Sequence, residues 1–479
     1  MSWGLRIALF VAEAVMWGLA LRYYLYIFQQ NSYRHERFMR WLRGNRGLLP
    51  RLFFRTSKVG FKMTPRMLRL TVTASLLFAA AAAWSPIAGV VVLALCWAFM
   101  LLADYINSPL EKGINRRYYR EAERMLRERP DLVIIGITGS YGKTSTKNYL
   151  HRMLSERYNV LITPGNFNTT LGVVRTVREQ LKPWHQVFIV EMGARQKGDI
   201  AEICELVHPT IGIVTAVGPM HLETFGSIDG VLQTKLELIQ ALPADGLGII
   251  NAESAPLAAW DGSGAACKVL RYGIDAHRAD WRAAGIACTA AGTSFDAIGP
   301  KGSVQLHTSL FGEGNVLDIL GALVAAEQLG VTPLQQKMAV AKLSGVVHRL
   351  SVSRRGGITV IDDAYNSNPE GARMALDLLR AMPCDGRRIV VTPGFVEMGD
   401  RQHEAAVALG RDAAQRADRL VIVNLLNREA IRSGALAAGM PESSIVLADT
   451  LQDAVAALPG LCIGGDVVLY ENDLPDIFK

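Results

Sequence analysis

Two apolar tracts stand at the head of the chain. Leu5–Phe28 is long enough to cross about 30 Å of hydrocarbon at about 1.5 Å per residue. Arg6 and Arg22 lie near its ends, where basic side chains snorkel, and Glu13 must face another helix. Leu68–Ala103 is interrupted by Trp84-Ser85-Pro86 and predicts a hairpin of two shorter helices, 68–84 and 87–103. From Asp131 the pattern changes to short apolar runs alternating with amphipathic stretches, which predicts an α/β fold. DLVIIGI (131–137), Phe188–Glu191 and IGIVTAV (211–217) read as buried strands. ITVID (358–362), RIVVTP (388–393), RLVIVN (419–424) and DVVLY (466–470), spaced by helices, read as a second α/β series beginning near Val346. The 268–311 stretch predicts a β-rich excursion of the first series.

These elements divide the chain into a membrane anchor at 1–110 with spans 5–28, 68–84 and 87–103, a basic linker at 111–130, a central α/β domain at 131–345 and a smaller α/β domain at 346–479. The length, 479 residues, allows about two to four domains. A hydrophobic share of 50% excludes disorder for most of the chain. Six scattered cysteines with no CxxC pair exclude a disulfide scaffold and read as free thiols in a reducing compartment.

The net charge of +7 suggests nucleic acid until it is located. Residues 1–130 hold 20 Lys/Arg against 7 Asp/Glu, whereas the remainder holds 31 against 37. Positive charge that crowds beside apolar tracts indicates a membrane rather than nucleic acid. Gln29–Arg69 carries eleven Lys/Arg and a single Glu, which places it in the cytoplasm of a bacterial-type cell. Glu111–Arg129 is basic as well and belongs on the same side, so an even number of crossings separates the two segments. The expectation is a multi-pass protein with three spans, its N-terminus outside and its catalytic domains cytoplasmic. A signal peptide is the competing reading, but the apolar part is too long and no small-residue cleavage site follows.

The first strand leads into TGSYGKT (138–144) and then an amphipathic helix. A strand, a glycine loop and a helix N-terminus make a phosphate cradle, because free backbone N–H groups and the helix dipole attract anions. Gly139, Ser140, Gly142 and Ser145 belong to this P-loop. Lys143 would reach the β- and γ-phosphates of ATP, and the Thr144 hydroxyl would ligate Mg²⁺. The usual GxxxxGK[ST] spacing is not met, since its outer glycine would fall on Ile137. Glu191 ends a buried strand, where an open parallel sheet places its ligands.

The ordered set TGSYGKTST (138–146), TPGNFNTT (163–170), VEMGA (190–194), MHLETFGS (220–227), TKLEL (234–238), HRL (348–350) and DDAYNSNP (362–369) resembles the Mur ligase family, most closely its D-alanyl-D-alanine-adding type. The resemblance covers roughly 131–479. It implies a P-loop central domain and a Rossmann-like C-terminal domain, and it gives Glu191 and His221 as metal ligands. It further implies that Lys235 is carbamylated, a change that turns a cation into a carboxylate-like ligand for a second Mg²⁺. Asn166, Asn168 and Thr169 would face the substrate. Asn315, Arg349, Asp362 or Asp363, Tyr365, Asn366 and Asn368 would face the nucleotide.

Two departures lie on the substrate side. The membrane segment stands where that ligase type carries a domain for the UDP-sugar, and YENDLPD (470–476) replaces an expected lysine- and glycine-containing loop. The function expected is an ATP-dependent, ADP-forming amide ligase of a cell-wall precursor. Its substrate would be a small molecule or a lipid-linked, peptide-bearing one, and catalysis would use Lys143, Glu191, His221 and Lys235. A membrane-bound poly-amino-acid synthetase and a P-loop transporter or sensor component are the alternatives.

Overall fold

The computed structural model describes residues 3–31, 33–44, 61–165, 167–220, 222–274, 279–289, 291–346, 349–364, 368–396 and 398–473. The chain forms two compact units, one up to Arg117 and one over Tyr118–Leu474.

The first unit is helical: Trp3–Gln30, His35–Gly44, Pro65–Trp84, Pro86–Ala94 and the start of Cys96–Arg127. Ser85, in extended conformation (φ −158°, ψ 138°), ends one helix and caps the next by accepting from the Ile87 amide, while Pro86 takes a position that needs no donor. Trp17 stacks on Phe78 at 4.9 Å and donates to Ser75 at 3.3 Å. Glu13 is buried, and Gly89 leaves its carboxylate room: a Cβ there would stand 2.3 Å from Oε2. At one end of the helices Asp104 pairs with His35 (2.8 Å) and Arg66 (3.1 Å), and Glu111 takes a bidentate pair from Arg69 (2.6 and 2.9 Å).

Among the described residues two helices are long and apolar enough to cross a membrane, or three if a bent pair counts as one span. That pair covers the expected third span. Residues 87–103 are no straight helix, because Pro86–Ala94 and Cys96–Arg127 meet at Leu95 with a bend of 85°. The expected linker at 111–130 is helical over most of its length. It continues the long helix to Arg127, supported by spaced pairs such as Arg127–Glu123 at 2.8 Å.

The second unit contains two sheets. In the first, order β2-β3-β1-β4-β5-β6-β7-β8-β9, strands β1 (Val133–Thr138), β2 (Val160–Ile162), β3 (Val187–Glu191), β4 (Ile211–Val214), β5 (Leu247–Asn251) and β6 (Lys268–Gly273) are parallel. β7 (Trp281–Thr289), β8 (Gly292–Gly299) and β9 (Gly302–Thr308) extend it, pairing antiparallel with one another. Both faces are covered, which is why the parallel strands read as continuous apolar runs. Ile135 and Ile137 pack against the helices Lys143–Leu154 and Glu313–Gln328, and Ile134 packs on the opposite side with Phe188 and Ile203. The chain runs to β2 and β3 on one side of β1 and to β4 on the other, so the sheet's switch point lies at the end of β1.

The second sheet, order β10-β11-β15-β12-β13-β14, comprises β10 (Ser351–Arg355), β11 (Ile358–Asp363), β12 (Arg388–Thr392), β13 (Arg419–Val423), β14 (Ile445–Ala448) and β15 (Val467–Glu471). It is parallel except for the β10–β11 pair.

Candidate active site

The loop after β1 is shaped by two glycines that no other residue replaces. Gly139 (φ 152°) passes so close to Thr215 that a Cβ would stand 2.1 Å from its hydroxyl, and Gly142 (φ 80°) lies as close, 2.3 Å, to Asp318. Ser140 braces the loop against Gly218, donating to its carbonyl (3.2 Å) and accepting from its amide (3.0 Å). The following helix starts at Lys143 with no side-chain cap, leaving its first amides to a ligand. Thr144 stands in that first turn.

Lys143 folds back on its own loop, donating to the carbonyls of Gly139 (2.6 Å) and Ser140 (3.2 Å). Burial pulls its amine down to about 8; Glu191 and Asp318 oppose the shift and Arg349 adds to it. Burial pushes the Glu191 carboxyl up, but the ammonium groups of Lys147 and Lys143 outweigh it and hold the group below the ordinary carboxylate range. Lys147 meets Glu191 Oε2 at 2.9 Å, and the Asn168 amide donates to Oε1 at 3.2 Å. Lys235, 3% exposed on the helix Ile228–Gln240, is pulled down to about 7, first by burial and then by the charge of Lys143. Its neighbour Glu237 caps the helix Asp199–Val207 by accepting from the amides of Gly198 (2.8 Å) and Ala201 (3.0 Å).

Beside the loop lies a cleft lined by Tyr141, Gly142, Ser145 and Asp318 from the first sheet's side and by Arg349, Asp363, Asn368 and Met374 from the second's. Val346 and Arg349 form an isolated bridge at the crossing, and Leu350 follows in a left-handed conformation (φ 44°) with its amide bonded to Asp363 at 3.1 Å. Burial raises Asp363 to about 6 and Asp318 to about 8, although Thr146 donates to Asp318 at 3.2 Å.

Most of the residues singled out in the sequence therefore gather around the end of β1. Three have other occupations. Thr169 caps the helix Thr170–Gln180, accepting from the Gly172 amide at 3.4 Å. Asn315 lines the cleft, but its oxygen accepts from Tyr149 (2.6 Å) and its nitrogen donates to Phe311 (2.8 Å). Asn368 caps Pro369–Ala381 by accepting from the Gly371 amide at 2.9 Å. Asn166, His221, Tyr365 and Asn366 lie outside the described residues. Lys147 and Asp318 were not singled out. Their signal was a Lys one turn beyond Lys143, and a lone carboxylate in the apolar run VLDILGALVAA (316–326).

No group of three or more His, Cys, Asp or Glu that could hold a metal stands among the described residues. The donors present fit Mg²⁺ that arrives with nucleotide, since that ion takes one or two carboxylates and completes its shell with phosphates and water. Thr144 and Glu191 provide such donors, and a lysine with a pKa of about 7 provides an amine able to take up CO₂.

Residues 137–326 match the Mur ligase middle domain, and 348–470 match the Mur ligase, glutamate ligase domain. The UDP-N-acetylmuramoyl-tripeptide--D-alanyl-D-alanine ligase of Escherichia coli (strain K12) is 32% identical over 310 residues, 64% of this chain and 68% of that protein. The ligase of the same name from Mycobacterium bovis is 34% identical over 359 residues, 71% of this chain and 70% of that protein. Among solved structures, MurF from Acinetobacter baumannii superposes with a TM-score of 0.67 at 25% identity, covering 75% of this chain and 77% of that one. The phosphate loop, the acidic end of β3 and the buried lysine of Ile228–Gln240 thus stand in a chain that belongs to the Mur ligase family of ATP-dependent, C–N bond-forming ligases.

Proposed function

We propose that the protein is a membrane-anchored, ADP-forming amide ligase that acts through an acyl phosphate on a peptidoglycan-type precursor. The observation that carries this reading is the convergence of Lys143, Glu191 and Lys235 at the end of β1, beside a cleft to which both sheets contribute. The substrate carboxylate attacks the γ-phosphorus and ADP leaves; an amine then attacks the acyl carbon and phosphate leaves. Lys143 exchanges its two loop carbonyls for the β- and γ-phosphates, where its charge offsets the charge that develops. Mg²⁺ held by Thr144, Glu191, His221 and carbamylated Lys235 would add electrostatic stabilisation of the phosphates. An acyl phosphate hydrolyses readily, so closure of the cleft about Val346–Arg349 excludes water while it forms. Asn168, beside Glu191, and Thr169 lie on the acceptor side; Arg349 and Asp363 contact the nucleotide.

Membrane anchoring is supported by the side chains that the helical unit leaves outward. Ile7, Val11 and Val15 form an exposed stripe on one helix, as do Leu68, Val72 and Leu76 on another. A lipid-linked acceptor would suit such an anchor. Purified protein given ATP, Mg²⁺, D-alanyl-D-alanine and either UDP-N-acetylmuramoyl tripeptide or its lipid-linked counterpart should release ADP only when both acceptor and amine are present. ADP release that neither one stimulates would mean a motor instead.

A further inference from the structure

Lys147 takes no part in the chemistry above, yet its side chain is 1% exposed and makes three contacts with other segments. Its ammonium donates to the carbonyls of Thr163 (2.9 Å) and Gly165 (3.0 Å) and meets Glu191 Oε2 at 2.9 Å. A buried lysine keeps its charge only where it has partners of this kind. Glu191 takes one of the ammonium's three N–H groups, and the two carbonyl bonds that satisfy the others also tie it to the turn after β2. They clamp the turn that carries Asn168, whose own side chain returns to Glu191 Oε1 at 3.2 Å. The Thr163 hydroxyl also accepts from the Glu191 amide at 3.0 Å. The turn after β2 and the carboxylate after β3 are thus fastened to one ammonium. That ammonium stands on the helix whose first residue is the phosphate-loop lysine.

We propose that Lys147 is a positioning residue that holds Thr163, Gly165 and, through Glu191, Asn168 of the acceptor-side turn in register with the phosphate loop, so that acceptor carboxylate and γ-phosphate meet at a set distance. This rests on the assignment of that turn to the acceptor side. Lys147 touches neither nucleotide nor the reacting atoms; it acts through the turn and through Glu191.

The test is amide hydrogen exchange on the full chain in detergent, with affinity for a fluorescent ADP analogue as a second measurement. Lys147→Met alone leaves a buried carboxylate uncompensated and can fail to fold, so the informative variant is Lys147→Met/Glu191→Gln, with Glu191→Gln as its control. In the double variant the amides of 163–165 and 167–170 should exchange at least about tenfold faster than in the Glu191→Gln control, while those of 139–146 stay within about twofold of that control and ADP affinity within about threefold of it. In Glu191→Gln the turn should exchange as in the parent, because both carbonyl bonds remain. Parent-like exchange of the turn in the double variant would reduce Lys147 to a counter-ion and overturn the proposal. Equal acceleration of both segments, or acceleration in Glu191→Gln alone, would overturn it as well. If the acceptor reading itself is wrong, the parent shows no acceptor-dependent turnover while the exchange contrast persists, so the two failures are separable.

Discussion

The two sides of the nucleotide cleft bury ionisable groups in opposite senses. On the phosphate side burial pulls two amines down, Lys143 to about 8 and Lys235 to about 7. On the second sheet's side it lifts a carboxyl, Asp363, to about 6, and the same loss of water lifts Asp318, the carboxyl beside Gly142, to about 8. One cause moves both kinds of group toward neutrality. The consequences differ, because phosphates bring the negative charge that restores the amines, whereas nothing in a purine or ribose recharges the acids. Nucleotide therefore switches on the amines and leaves the carboxyls as they were.

The sharpest way to break this contrast is Lys143→Ala. Without its charge the β- and γ-phosphates lose their fixed cation, and turnover should fall by about a thousandfold or more while thermal unfolding hardly moves. ADP release at the parent rate would show that this loop is not the catalytic one.

Lys235 comes next. A carbamate needs a neutral amine, and a pKa of about 7 means that the neutral fraction rises as pH passes from 6 to 8. Activity should rise over that interval, and added bicarbonate should help most at the acid end. Lys235→Arg keeps the cation but loses the adduct, so it should be as poor as Lys235→Ala, about a hundredfold below the parent, and acetate should partly rescue only the Ala variant. Near-normal rates in the Arg variant would leave a plain cation as the requirement at 235.

Asp318 tests the carboxyls. Its folded pKa of about 8 exceeds the unfolded 3.8, so between these values the folded chain holds more protons and this group's contribution to stability is lost as pH rises. Asp318→Asn keeps an oxygen for Thr146 and should flatten that decline, by up to about 1.4 kcal/mol per pH unit. Denaturant midpoints at pH 5 and pH 8 give the comparison; an unchanged slope would mean that the group is ionised throughout. The smallest effect is expected at Thr169. If its hydroxyl serves only as a helix cap, Thr169→Ala costs about 0.5–1 kcal/mol of stability and leaves the acceptor KM untouched.

The phosphate side was legible in the sequence because strand, loop and helix follow one another without interruption over 133–154. Lys147 was not, since a lysine inside a helix reads as solvated until β3 brings Glu191 to it, 44 positions later. Asp318 depends on a partner 172 positions away. In the helical unit, hydropathy located the break at Ser85 through its proline, but it carries no information on direction, and so the bend at Leu95 escaped it. The segment 111–130 read as a linker from its charge; the spacing of those charges, Glu123 and Arg127 among them, is what a helix uses.

The cleft's two linings also differ in when they come off the ribosome. Tyr141, Gly142, Ser145 and Thr215 come first, Asp318 follows, and Arg349, Asp363 and Asn368 are made last. A nascent chain thus owns a phosphate loop well before it owns the opposite lining, and ATP, abundant in the cell, meets only half a site. Ligand stabilisation scales with affinity, so nucleotide does little to rescue truncated chains and favours the finished one. With the second lining made so late, bound nucleotide stabilises the finished chain more than a truncated one.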